Sequence, residues 1–215
     1  MLTPATCRGG APQCIAGGCE MRPEVHAFAH YERFCTAVRV RNLSYHLMRS
    51  ATATEALQAW CEEFNLSVGR ITAMKRIDSS PRCIDEEILD DLRLLQNERL
   101  EPRRVLLVRG GLPLCEVDSW FVPQRLPPDT LTVLKSANVP FGTAIRDLNP
   151  GRRAYFVRLA SFASEDDFSA DLCMPVMSQS AVILEQRAII YDGDRRPLAV
   201  STERYLASLV GAIGD

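Results

Sequence analysis

The interval at which apolar residues recur shifts several times along this chain, and the shifts divide it into elements. From His26 to Ser50, Phe28, Tyr31, Phe34, Cys35 and Val38 are spaced at threes and fours, which predicts a helix with these residues on its apolar face. A second helix follows: Thr52 or Thr54 can cap it, Ala56, Leu57 and Trp60 form its stripe, and Asn65 stands near its end. LSVGRITAMKRI then alternates as a strand, with Val68, Ile71 and Met74 approximating one side and Gly69 a bulge. Residues 78 to 83, from Asp78 through Ser79, Ser80 and Pro81 to Cys83, are turn chemistry. IDEEILDDLRLLQNE is an acidic-started helix with Ile84, Ile88, Leu92 and Leu95 on one stripe, its acidic run from Asp85 to Asp91 a solvated face.

The second half of the chain is dominated by period 2. PRRVLLVRG and PLCEVDSWFV read as strands joined by a tight hairpin at Gly110-Gly111. Asp129 or Thr130 caps a short helix running through Lys135. GRRAYFVRLASF, AVILEQRAIIYD and RPLAVSTERYLASL read as three more strands, the last two linked through DGDRR. About six strands with hairpin-length links and no βαβ alternation give an α+β class with a largely antiparallel sheet. The Gly, Ala and Pro of residues 1 to 25 have no period to bury, so that stretch is expected to be a flexible leader and 26–215 a single domain.

In the last strand, Leu198, Val200 and Leu206 share an even-numbered register that a half-buried strand would turn inward. Glu203 sits among them, and a carboxylate in a strand otherwise chosen for burial calls for a reason. Most strand carboxylates simply face solvent.

Composition narrows the classes. The chain has 215 residues, 47% hydrophobic and 24% charged, with a formal net charge of -2, so it lacks the basic footprint of a nucleic-acid or anionic-membrane binder. No apolar run approaches the roughly 20 residues of a membrane span, and MLTPATCRGGAPQC lacks a secretory layout; a cytoplasmic protein is expected. Of the 8 cysteines, Cys61, Cys83, Cys115 and Cys173 fall singly and read as small buried thiols. Cys7, Cys14, Cys19 and Cys35, with His26, His30 and His46, invite a zinc reading, but the C-x6-C-x4-C gaps are not those of a zinc knuckle, and no metal site is assigned.

Three segments, taken together, resemble the chorismate lyase family, in its mycobacterial and cyanobacterial branch. They are SATATEALQAWCEEFNLSVGRITAMKR, RRVLLVRGGLPLCEVDSWFVPQRLPPDTLTVLKSANVPFGTAI and EQRAIIYDGDRRPLAVSTERYLASLV, roughly 60% of the chain. The resemblance implies a six-stranded antiparallel sheet with helices on one side, a ligand held beneath helical flaps, and cofactor-independent elimination of pyruvate from chorismate to leave 4-hydroxybenzoate. The same fold serves as the effector-binding module of a class of bacterial transcription regulators, so fold alone does not decide function.

The resemblance carries roles residue by residue. Glu203 matches the acid that faces the ring hydroxyl of the product, and Arg103 the arginine that holds the ring carboxylate, although Arg104 competes with it across a one-residue shift. Phe141 and Gly142 occupy the family's Leu-Gly turn, Phe141 being a departure, and Ala53 sits where a backbone N–H touches ligand. Chorismate has two carboxylates, and arginine's fork suits each; Arg187 is the candidate for the second. Arg152-Arg153 and Arg195-Arg196 read as turn charges.

The expected partner is therefore a small aromatic or cyclic carboxylate acting on a monomer or small homo-oligomer, with neither nucleic acid nor membrane involved. Glu203→Ala is expected to cost rate while leaving the melt unchanged. Two other functions stay open. LNPGRRAYFVRLASFASEDDFSADLCMPVMSQS matches the family poorly, which suits another elimination or cyclisation in secondary metabolism, and a non-catalytic small-molecule sensor is the third reading.

Overall fold

A computed structural model describes residues 23–76, 86–136, 138–160 and 178–211. Helices α1 (Pro23–Arg49) and α2 (Ala53–Glu63) come first, followed by β1 (Ile71–Lys75) and the short α3 (Glu86–Leu92). The hairpin β2 (Glu101–Arg109) and β3 (Leu112–Phe121) leads to α4 (Pro128–Ser136) and α5 (Phe141–Ala144). Three strands close the fold: β4 (Gly151–Leu159), β5 (Val182–Tyr191) and β6 (Pro197–Leu206). The class is α+β, with one six-stranded antiparallel sheet in the order β1-β2-β3-β6-β5-β4. The leader cysteines Cys7, Cys14 and Cys19, the turn at 78–83 with Cys83, and Ile84 and Cys173 lie outside the described residues.

Local chemistry explains the elements that matter for the site. Thr52 is the N-cap of α2, its hydroxyl accepting from Glu55 N at 3.1 Å. Ala56, Leu57, Trp60 and Cys61 then face inward together at helical spacing. Gly110 and Gly111 both have positive φ, 53° and 86°, which is what a two-residue hairpin compatible with strand twist requires. Asp192 fixes the β5–β6 turn by accepting from the backbone N–H groups of Asp194 and Arg196.

One face of the sheet carries the main core. Val40, Leu43 and Leu47 of α1 and the α2 stripe pack on Ile71, Ala73, Val105, Leu107, Leu184 and Tyr205. The fully buried Leu43 and Leu47 each contribute about 2 kcal/mol by area removed from water. Trp60 locks the far end by donating from Nε1 to the Leu209 carbonyl at 2.9 Å. On the opposite face, Leu92 of α3 meets Ile189 and Val200, so this short helix covers part of the second side.

Several periodicities fall elsewhere than the sequence pattern predicts. Tyr31 and Phe34 are 67% and 60% exposed, because the aliphatic stripe Val40–Leu43–Leu47, not the aromatic one, meets the sheet. In β1 the inward residues are Ile71 and Ala73; Val68 precedes the strand and Met74 points out. The third helix ends at Leu92, and Leu95 is exposed beyond it. In β6 the set facing α1 and α2 is odd-numbered, Ser201, Glu203 and Tyr205, while Val200 is buried on the α3 side.

A buried ion pair anchors the region where α3 meets β6. Arg125 donates to Glu98 and to the carbonyls of Leu92, Arg93 and Pro197, and Arg196 adds a second bond to Glu98 at 2.7 Å. Arg125's hydrogen bond, above all, lowers the Glu98 carboxyl from 4.5 to about 2, against the opposing effect of burial. A folded-state value below the unfolded one contributes stability that is complete above 4.5 and is lost as pH falls toward about 2. The difference in melting temperature between wild type and Glu98→Gln is therefore expected to stay constant at neutral pH and to shrink as pH drops through that window. A pH-independent gap in thermal melts would contradict it.

Candidate functional site

Between the sheet and the helix ends lies a recess. Val105, Leu107, Val117 and Ile190 give it apolar walls, and Phe141, packed at 5.8 Å on the Phe121 ring, closes one side. The first turn of α2, Thr52 to Thr54, forms another wall, so the partial positive charge of that helix end faces the space. Gly142 is required where α5 backs onto α2, since a Cβ there would lie 2.7 Å from Thr52 Cβ.

Five of the six residues singled out from sequence line this recess: Ala53, Arg103, Phe141, Gly142 and Glu203. The sixth, Arg187, does not. Past the irregularity at the start of β5, Arg187 and Ile189 point to the opposite face, where Arg187 pairs with Glu87 at 3.0 Å and lies over the Phe156 ring. The Arg103/Arg104 ambiguity resolves by strand alternation: Arg103 turns inward at 8% exposure, and Arg104 pairs with Asp118 on the other side.

Register fixes how Arg103 and Glu203 confront each other. Arg103 is opposite Ser119 and Ser119 opposite Ser201, so Glu203 lies two strands over and two residues along. That places the two Cα atoms about 12 Å apart, with side chains projecting to the same face.

The two ends differ electrostatically. Arg103 Nη2 donates to the Val139 carbonyl at 2.6 Å, while its Nε and Nη1 are buried with no hydrogen-bond partner among the described residues. Burial pulls its guanidinium below the ordinary arginine value, yet arginine remains a cation. A buried guanidinium with donors unmet among the described residues carries a desolvation cost that a hydrogen-bonding anion would relieve.

At the other end stands Arg152, which the sequence pattern places in a turn. It is the second residue of β4, its side chain 1% exposed, and it reaches across β5 to pair with Glu203. Its Nη2 also donates to Gln186 at 2.9 Å and its Nη1 to the Leu47 carbonyl at 3.2 Å, near the end of α1. Burial opposes Arg152's charge and Glu203's carboxylate outweighs it, leaving the guanidinium above its ordinary value. Glu203 further accepts from Ser201 at 2.8 Å and from Tyr205 at 2.5 Å. Burial first, then the Glu203 charge, holds the Tyr205 phenol well above its usual range, so it remains a donor.

No family model matches the chain. The uncharacterized protein y4mC of Sinorhizobium fredii is 29% identical over 172 residues, 77% of this chain and 73% of its own length. The effector domain of PhnF from Mycobacterium smegmatis aligns with a TM-score of 0.42 at 16% identity, over 73% of this chain and 88% of that one. A GntR-family transcriptional regulator from Bacillus cereus aligns at 0.34 and 13% identity, over 64% and 85%. Against whole regulator chains the match spans under two thirds of their length, 64% of PhnF and 61% of YydK from Bacillus subtilis. Likenesses at these scores carry nothing about ligand or activity.

Because Arg152 depends on Glu203, the expectation of an unchanged melt on removing the acid is overturned. Glu203→Ala strands a buried guanidinium and is expected to cost about 3–5 kcal/mol in urea unfolding. Adding Arg152→Met should recover much of that loss. An isolated Glu203→Ala change of under about 1 kcal/mol would contradict the pairing.

Proposed function

We propose that the recess binds a small cyclic carboxylate, with Arg103 receiving the carboxylate and Glu203 the opposite pole, and that it eliminates pyruvate from chorismate. Arg103 carries this reading: it is a buried cation with two idle nitrogens on the wall of a ring-sized apolar space. In the reaction, the ring C–O bond to the enolpyruvyl group breaks and the neighbouring ring carbon, which bears the hydroxyl, loses a proton. The ring becomes aromatic, and the released enol takes up a proton to become pyruvate. Aromatisation supplies the drive, so the protein has to orient the ring, exclude water and guide protons.

A second reading is binding without turnover, as in a sensor. What favours it is that the acid in the recess already holds three donors, Arg152, Ser201 and Tyr205, which suits an anchor better than a proton carrier.

One assay separates the two. Wild type incubated with chorismate is expected to release pyruvate and 4-hydroxybenzoate, followed by mass spectrometry, and Arg103→Met to lose at least about a hundredfold in kcat/KM. Tight 4-hydroxybenzoate binding without turnover would favour the sensor. Absence of both binding and turnover in folded protein would end the carboxylate reading.

A further inference from the structure

Helix α1 carries apolar side chains on two faces, and the core uses one of them. Thr36, Val40, Leu43 and Leu47 recur at four, three and four residues and are buried. Tyr31, Phe34, Tyr45 and Met48 are instead each more than half exposed, and Val38 is 37% exposed. At about 100° of turn per residue the two stripes centre roughly 150° apart, so an element packed on one does not shield the other. With the exposed Arg41 included, the outer row runs Tyr31, Phe34, Val38, Arg41, Tyr45, Met48, in alternating steps of three and four. That is the a/d seam of a coiled coil. The row is also its own complement: turned end for end about a point between Arg39 and Val40, Tyr31 falls opposite Met48, Phe34 opposite Tyr45 and Val38 opposite Arg41.

We infer that this row is the surface through which two copies of the chain pair, their α1 helices antiparallel about a two-fold axis, whatever the recess binds. A two-fold contact uses the same patch on both copies, and the row meets that requirement. Arg41 selects the direction. Parallel helices would set each Arg41 against its twin, whereas antiparallel ones lay its aliphatic stem along Val38 and let the guanidinium reach water. The area is sufficient. At about 200 Å² for an aromatic side chain, these exposures leave on the order of 500 Å² of apolar surface per copy, and pairing buries roughly 1,000 Å², the size at which a specific interface begins. On its inner side the same helix gives Ser44 to Gln186 and the Leu47 carbonyl to Arg152, so pairing holds from outside the element that the buried polar network holds from within.

Analytical ultracentrifugation of the full chain tests this. Wild type is expected to sediment as a dimer at concentrations on the order of 100 µM and to dissociate on dilution, as an interface of this size should. Phe34→Lys and Tyr45→Glu are each expected to weaken association at least about tenfold. Both side chains are exposed, so the melt of the dilute monomer should not move. Combining the two substitutions sets opposite charges against each other in the antiparallel contact, and is expected to restore association to within about threefold of wild type. A wild type that stays monomeric overturns the inference; if its melt also falls in the single variants, the chain covers this face itself. A dimer indifferent to both single variants overturns it as well, because the copies then meet elsewhere. A double variant no better than the singles overturns the antiparallel arrangement.

Discussion

Arg152 and Glu203 meet across three neighbouring strands, and the polar half of the molecule is organised around them. Neither charge tolerates burial alone, since removing an ion from water costs several kcal/mol even after relaxation. Each is accommodated because the other is there and because Gln186, Ser201, Tyr205 and the Leu47 carbonyl supply further hydrogen bonds. Gln186 in turn bonds Ser44, so the network ties β4, β5 and β6 to α1. A change at any member bears on both the helix layer and the recess.

The contrast with Arg103 gives the recess its direction. Both guanidiniums are buried on the same face of the sheet, but one has a resident carboxylate and the other, among the described residues, bonds the Val139 carbonyl. Burial depresses Arg103 and Glu203 elevates Arg152, opposite consequences of the same low dielectric. On the proposed reading, an anionic group entering the space is attracted to Arg103, and its far end then meets the Arg152–Glu203 ion pair. Orientation follows from electrostatics before any close contact is made.

Much of this was legible from sequence, and the misses have physical causes. Strand number and the β2–β3 and β5–β6 hairpins followed from alternation and from the Gly-Gly and Asp-Gly turns, whereas the β3–β6 and β4–β5 pairings join strands that no turn signal connects. Glu203, Arg103, Phe141, Gly142 and Ala53 came from resemblance together with the oddity of an acid in a buried strand. Arg152 was missed although it repeats a visible pattern: Arg103-Arg104 and Arg152-Arg153 are both doublets in the opening residues of strands, and alternation sends one member of each inward. Arg187 was misplaced because its face depends on which side of β5 meets the helices, which sequence alone does not state. The β6 register was read backwards for a related reason. Ser201 and Glu203 look like a solvent face, and a polar cavity wall has the same composition as a wet surface.

The recess is polar in direction, with Arg103, a cation in no ion pair among the described residues, at one pole and the Arg152–Glu203 pair at the other. A crystal structure of the full chain with 4-hydroxybenzoate measures it directly. The ring is expected between Val117 and Phe141, with its carboxylate on Arg103 and its far end toward Arg152 and Glu203. A reversed ligand, with its carboxylate on Arg152, or one bound outside the recess, would contradict it.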